Sequence, residues 1–151
     1  MGSASVWVLY LMHAGLTIAA SLRPSRPLPV DRKTVGALGA SAAVSGLALC
    51  AAGIREFRSF RQMSALEPGR LVETGPYRYS RTPQVVGWGL ALLGAALAGR
   101  SAKALMLVGF YIVVHQLHAP TEERHLERTF GDEYRRYRAK APRFLGLPRP
   151  G

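Results

Sequence analysis

The chain has 151 residues, the length of a single domain, and its 20 lysine and arginine residues against nine acidic ones give a net charge of +11. The one cysteine allows neither an intrachain disulfide nor a multi-thiolate metal site, and we expect no bound metal. Because the basic residues flank apolar stretches and no nucleic-acid recognition motif is present, the charge predicts contact with anionic membrane lipids and no nucleic-acid partner.

Four stretches without a charged residue divide the sequence, at residues 5–22, 34–54, 84–99 and 104–119. Their lengths approach the roughly 17 to 25 residues that a membrane-spanning helix needs, and lipid requires such stretches to be helical. The alternative, buried helices of a soluble all-α protein, needs more polar helix surface than this chain offers. We therefore predict an all-α integral membrane bundle of about four transmembrane helices, with residues 1–151 as a single membrane domain.

The connections predict how the helices follow one another. The first stretch has no basic residue before it, so we expect a retained span and not a signal peptide. Two N-terminal spans occupy residues 1–54, with the second helix continuing to Gln62, and residues 55–146 form the second region, which the resemblance described below implies is catalytic. Only residues 100–103 separate the last two stretches, which predicts a helical hairpin at 83–119. Apolar residues at spacings of four, four, three and four then predict a C-terminal amphipathic helix over 121–141.

The distribution of basic residues predicts the orientation. Fourteen of the 20 lie in residues 55–81 and in the tail after Ala119, which a four-span topology places on one side. The positive-inside rule then puts both segments and both termini in the cytoplasm. In a bacterium this is the inner membrane, with the active site facing the cytoplasm.

A polar, arginine-rich segment at residues 67–87 lies between the two apolar halves. A turn at Gly75 presents Tyr77, and Pro83 occupies the first turn of the third span with Thr82 as a candidate cap. The N-terminus of that helix would direct free N–H groups and the positive end of its dipole at an anionic group. Local chemistry leaves two interpretations open, a capped helix start with nothing bound or an anion-binding loop.

Two adjacent carboxylates, Glu122 and Glu123, open the second polar segment after the last apolar stretch. In the first turn of a new helix after Pro120 they would suit the helix dipole, which explains them without a ligand. They would also emerge where the fourth span meets the central segment. We predict that the two polar segments fold over each other at one membrane face and form a cofactor site.

Together these residues resemble the isoprenylcysteine carboxyl methyltransferase family and its phospholipid methyltransferase relatives, over roughly residues 60–146. The resemblance implies an integral-membrane enzyme that holds S-adenosylmethionine in a cytoplasmic pocket and takes a lipophilic small-molecule or lipid acceptor from the bilayer. The residues that carry it are Gly75-Pro76-Tyr77, Pro83 and Gly87, then Glu122-Glu123, Leu126, Phe130-Gly131, Tyr134 and Tyr137, and finally Pro142-Arg143-Phe144.

The resemblance also implies which residues contact the cofactor. Tyr77 would pack beside it without contributing to bundle packing, residues 82–85 would bind its amino-acid end, and Glu122 would accept hydrogen bonds from its polar groups. The complete cofactor-binding set is Gln62, Gly69, Arg70, Leu71, Val72, Tyr77, Arg81, Thr82, Pro83, Gln84, Val85, Glu122 and Glu123.

Three positions depart from the family pattern. Thr82 replaces the usual His and Val85 the usual Tyr, and His118 stands where the isoprenylcysteine enzymes carry an Arg that faces the substrate carboxylate. We therefore expect an acceptor other than a prenylcysteine. A hydroxyl, amine or thiol acceptor needs a base, for which His118 and His115 are the catalytic candidates, whereas a carboxylate needs none. Both histidines could instead form hydrogen bonds within the bundle.

Two other function classes remain open at this level. One is an NADPH-dependent membrane reductase related to the sterol reductases, whose C-terminal membrane region has a similar architecture. The other is a non-catalytic membrane adaptor. Binding of S-adenosylhomocysteine but not of NADPH would favour the methyltransferase, and binding of neither would favour the adaptor. The sequence does not set the oligomeric state.

Overall fold

The computed structural model describes residues 3–23, 27–57 and 70–149. Within these ranges the chain forms α-helices and no β-strand, apart from an isolated bridge between Pro27 and Ser101. The all-α prediction is confirmed. The helices are α1 (Ser3–Leu22), α2 (Arg32–Arg55), α3 (Pro83–Ala98), α4 (Ala102–Phe130) and α5 (Asp132–Lys140), with a 3-10 turn at Gly75–Arg78.

Two of these helices, α2 and α4, are long and apolar enough to cross a membrane, whereas α3 and the Tyr10–Leu22 part of α1 are apolar but shorter. Large apolar side chains on α1, α2 and α4 lie at the protein surface, and Leu11, Leu38 and Met106 are each more than 60% exposed. Apolar surface of this extent marks a membrane or partner interface. The described chain therefore has two candidate membrane spans, and the full set of four stays a prediction.

The described chain divides into two compact units. In the first, residues up to 48 and 87–114, helices α2 and α3 meet along a seam of small residues. A Cβ atom built on Gly39 would lie 2.6 Å from the Gly94 carbonyl oxygen, and one built on Gly46 would lie 2.5 Å from the Gly87 carbonyl oxygen. Backbones this close leave no room for a side chain, as expected for helices that pack through glycine in a membrane.

Replacing Gly39 by alanine should destabilise the first unit by about 1–3 kcal/mol, because the neighbouring atoms belong to the backbone of α3 and cannot rotate away. The matched control is Gly36→Ala, one turn earlier in α2, where a new Cβ atom would have no neighbour within 4 Å. Thermal unfolding of both variants in the same detergent measures the difference. Equal unfolding temperatures would contradict the seam.

Residues 99–101 connect α3 to α4. Arg100 adopts a positive φ of 51° there, and its guanidinium donates to the Leu28 carbonyl oxygen at 2.6 and 3.1 Å. Its own carbonyl accepts the Leu28 N–H at 2.7 Å. The tight connection between the two helices is thus tied to the loop that precedes α2.

Two helix boundaries differ from the sequence predictions. Helix α2 ends at Arg55, so its predicted continuation is wrong at residues 56 and 57, and residues 58–62 lie outside the described chain. The single amphipathic helix predicted over residues 121–141 is also wrong. Helix α4 continues through Pro120 to Phe130, and Gly131, with a φ of 54°, separates it from α5. A positive φ is readily available only to glycine and interrupts the helical backbone.

Candidate functional site

The second compact unit contains the end of α2, the central polar segment, the second half of α4 and everything after it. Its core brings the two polar segments together, because Tyr77 of the 3-10 turn packs with Tyr134 and Tyr137 of α5. The Tyr137 hydroxyl donates to the Tyr77 carbonyl oxygen at 2.8 Å. Phe57, just after α2, adds an edge-to-face contact with Tyr77, with ring centroids 5.8 Å apart. Aromatic packing therefore fixes the central turn against the C-terminal helix.

The turn itself depends on Gly75, whose φ is 55°. A Cβ atom at this position would displace the Glu56 carboxylate, which is the end of a flexible side chain, so the backbone conformation is what favours glycine. Glu56 also accepts a hydrogen bond from the Thr74 hydroxyl. The end of α2 thus anchors the segment that presents Tyr77.

Residues 141–149, called here the C-terminal strap, lie across the chain that leads into α3. The Arg81 N–H donates to the Pro142 carbonyl oxygen and the Thr82 hydroxyl to the Arg143 carbonyl oxygen, both at 2.9 Å. The Gly146 N–H donates to the carbonyl oxygen of Tyr79 at 3.0 Å. These bonds hold the entry to α3 from one side, so the two polar segments contact each other.

Glu123 is the charged centre of this contact. The Arg143 guanidinium donates to both of its oxygens at 2.8 Å, and Arg81 Nη1 lies 2.9 Å from Oε1. The Arg81 and Glu123 side chains are only 11% and 15% exposed. Arg81 Nη1 also donates to the Tyr134 hydroxyl at 3.3 Å. Burial opposes ionisation of Glu123, but the hydrogen bonds from Arg143 and the charge of Arg81 outweigh it and lower the pKa of this carboxyl.

Glu122, the adjacent residue, has the opposite environment. Among the described residues no donor binds its carboxylate, and its side chain is solvent-accessible. The surrounding protein nevertheless desolvates it and raises the pKa of its carboxyl, as does the negative charge of Glu123, while His118 and His125 act in the opposite direction. The two adjacent carboxylates therefore lie in different electrostatic environments.

The structure locates most of the predicted cofactor-binding residues in this unit. Gln62 and Gly69 lie outside the described residues. Arg70 is exposed, Val72 and Pro83 are buried, and the remaining residues that line the central segment are half-buried. They are Leu71, Arg81, Thr82, Gln84 and Val85.

Tyr77 is a correction to the sequence analysis. We expected it to pack beside the cofactor without contributing to the protein core, but it is 7% exposed and belongs to the aromatic core of this unit. Burial accordingly raises the pKa of its phenol. Of the two histidines, His118 is exposed and His115 is half-buried. Both precede Glu122 on the same face of α4, at spacings of four and seven residues.

The sequence analysis missed three residues of this site. Glu56 positions the central turn, Tyr134 positions Arg81, and Arg143 binds Glu123. Arg143 was recognised only as part of a Pro-Arg-Phe run. The sequence signal for Arg143 was the surplus of basic residues over acidic ones, because a buried acid that pairs with Arg81 can also accept a second basic partner.

Comparison with known proteins agrees with this arrangement. The chain matches the profile of the phospholipid methyltransferase family over residues 36–133. It is 45% identical, over 47 residues, to an uncharacterized protein of Haemophilus influenzae, and the aligned part covers 31% of this chain and 75% of the relative. No solved structure matches. Because the family profile covers more than half of the chain, the protein belongs to the phospholipid methyltransferase family of membrane methyltransferases.

Proposed function

We propose that the protein transfers a methyl group from S-adenosylmethionine to a lipophilic or small acceptor at the cytoplasmic face of the membrane. The observation that carries the proposal is the set of polar atoms left without partners in the second unit. Arg81 Nε and Gln84 Nε2 are buried and find no hydrogen-bond partner among the described residues. The exposed Glu122 carboxylate also accepts no hydrogen bond from the described residues, so it is open to water or to a ligand. Buried polar atoms without partners are rare in proteins and indicate a missing ligand, water or ion.

These atoms fit the amino-acid end of the cofactor, which carries one carboxylate and one ammonium group. Arg81 and Gln84 offer donors at the N-terminus of α3, where the helix dipole also favours negative charge. Glu122 offers an acceptor for the ammonium group. Glu123, the neighbour of Glu122 in the chain, lies 2.9 Å from Arg81, which supports the proposal that donors and acceptor belong to one site. Glu123 itself has both oxygens engaged by Arg143, and its direct contact with the cofactor stays a prediction.

S-adenosylmethionine supplies an already activated methyl group on its sulfonium, so the protein's task is to align donor and acceptor. Alignment of this kind contributes about 7 to 11 kcal/mol to lowering a barrier. A hydroxyl, amine or thiol acceptor would lose a proton when it gains the methyl group. We assign that proton to His118, with His115 as the alternative, because both lie on the Glu122 face of α4.

Detergent-purified protein is expected to bind S-adenosylhomocysteine in calorimetry and not NADPH. With labelled S-adenosylmethionine it should methylate at least one of a phosphatidylethanolamine, a lipophilic phenol and a small thiol, in preference to a prenylcysteine analogue. Binding of NADPH alone would replace the proposal with a reductase, and binding of neither would leave an adaptor. Robust turnover of the prenylcysteine analogue, undiminished in His118→Ala, would refute the proposed acceptor class and base.

The proposed cytoplasmic orientation rests on the fourteen basic residues of the central segment and tail. In a Cys50→Ser background, a cysteine placed at the exposed position of Arg70 should react with an impermeant thiol reagent only after the membrane is opened. The exposed Lys103, at the start of α4, is the matched position that should react in intact cells. The reverse pattern would invert the topology.

A further inference from the structure

The charges around Glu123 do not balance. One carboxylate faces two guanidinium groups, Arg81 and Arg143, and no other acid of the described chain pairs with either. Arg143 is 36% exposed, but the Arg81 and Glu123 side chains are almost buried, so water screens the charges between them only weakly. Because the two guanidinium groups share one carboxylate, the three side chains together carry one net positive charge, which favours an additional anion.

The two arginines bind Glu123 unequally. Arg143 approaches with Nε and Nη2, each 2.8 Å from a different carboxylate oxygen, which is the strong bidentate geometry. Arg81 approaches a single oxygen with Nη1 alone and keeps its buried Nε–H without a partner among the described residues. Arg143 therefore satisfies Glu123, and Arg81 retains both charge and donor capacity.

We propose that Arg143 is a positioning residue that neutralises Glu123 and so leaves the Arg81 guanidinium available to bind an anionic oxygen group of a ligand. The inference rests on the proposed function and deepens it. Two ligands of that site carry such a group, the cofactor through its carboxylate and a lipid acceptor through its headgroup phosphate. Without Arg143, Glu123 would draw Arg81 into a closed pair and reduce its attraction for the ligand.

The backbone of the strap allows this role to be separated from folding. Pro142 and Arg143 hold the central segment through their carbonyl oxygens, which a change of the Arg143 side chain does not remove. The Arg143 side chain is itself 36% exposed, so the shorter side chain of Arg143→Gln should remain in contact with water. We expect this variant to remain folded.

The test compares ligands with and without the anionic group by calorimetry. Arg143→Gln should weaken binding of S-adenosylhomocysteine by about tenfold or more, the effect of losing one charged contact, and change binding of methylthioadenosine, which lacks the carboxylate, by less than about twofold. Arg143→Lys keeps the positive charge but not the bidentate guanidinium geometry, so it should weaken binding of S-adenosylhomocysteine less than Arg143→Gln does. Arg138→Gln is the control, because Arg138 pairs with Glu127 at the surface.

A second pair of ligands, a short-chain phosphatidylethanolamine and the matching diacylglycerol, distinguishes the source of the anion. If Arg143→Gln weakens binding of the phospholipid but not of the diacylglycerol, the inference is supported with phosphate as the anion. Equal weakening of charged and uncharged ligands would overturn it in favour of a purely structural role, and so would unchanged binding of all four. If the unaltered protein binds no S-adenosylhomocysteine, the proposed function fails; if it binds and Arg143→Gln is silent, only the inference fails.

Discussion

Replacing Glu122 by glutamine is expected to weaken binding of S-adenosylhomocysteine by about 10- to 100-fold, the effect of losing a charged hydrogen bond of about 1.5–3 kcal/mol. The physical reason is that only the ionised carboxylate offers charge to the ligand's ammonium group. The variant should remain folded, because no described residue donates a hydrogen bond to this carboxylate. Calorimetry on Glu122→Gln, with the exposed Glu133→Gln as control, measures the loss.

The same group predicts a pH dependence of binding. Burial and the charge of Glu123 raise the pKa of Glu122 above its ordinary value, against the influence of His118 and His125. The carboxyl therefore takes up a proton at a higher pH than an ordinary glutamate, and affinity should fall as the pH is lowered through that range. In Glu122→Gln this part of the pH dependence should be absent. An unchanged pH profile would show that Glu122 does not bind the ligand.

The largest expected effect on stability comes from Glu123→Gln. It leaves the almost buried Arg81 without a counterion, and breaking one partner of a buried pair costs about 3–5 kcal/mol. Glu127→Gln is a closely matched control. Glu127 lies on α4 and also pairs with two arginines, Arg135 and Arg138 of α5, but these are 52% and 43% exposed. Exposed pairs contribute less than about 1 kcal/mol. Denaturant unfolding in detergent compares the two variants, and similar losses would contradict the burial argument.

Acid should weaken the unaltered protein through the same group. The folded-state pKa of Glu123 is lowered, so its stabilising contribution is complete above the unfolded value of about 4.3 and is lost as the pH falls through the folded one. Glu123→Gln should lack this acid sensitivity. The comparison separates the contribution of Glu123 from that of the other carboxylates.

Much of the helical layout could be predicted because it depends on local composition. Stretches without charges identified α2 and α4, and the close approach of α2 and α3 depends on local glycines such as Gly39 and Gly94. The helix boundaries after Ala119 could not, because Pro120 is ordinarily read as a break although α4 continues through it, while the true break at Gly131 depends on a backbone conformation that composition does not reveal.

The contact between the two polar segments was predictable from the sequence, but the different surroundings of Glu122 and Glu123 were not. The sequence shows that Glu122 and Glu123 are adjacent and acidic, and nothing local distinguishes them. Their difference comes from Arg143, twenty residues away from Glu123, which reaches only one of the two carboxylates. The contribution of Tyr77 to the core was missed for a similar reason, since its core partners Tyr134 and Tyr137 lie about sixty residues further along the chain.

The length of α4 has a consequence for how an acceptor reaches the site. Twenty residues of α-helix measure about 30 Å, the thickness of the hydrocarbon core of a typical bilayer. Counted from Ala102, that length ends at residue 121, and Glu122 is the next residue of the same unbroken helix. If α4 enters the hydrocarbon at Ala102, its length therefore places Glu122 at the level of the lipid headgroups. An amphiphile could then react at its head while its tail stays dissolved in the bilayer, and the product could leave by sideways diffusion without passing through water.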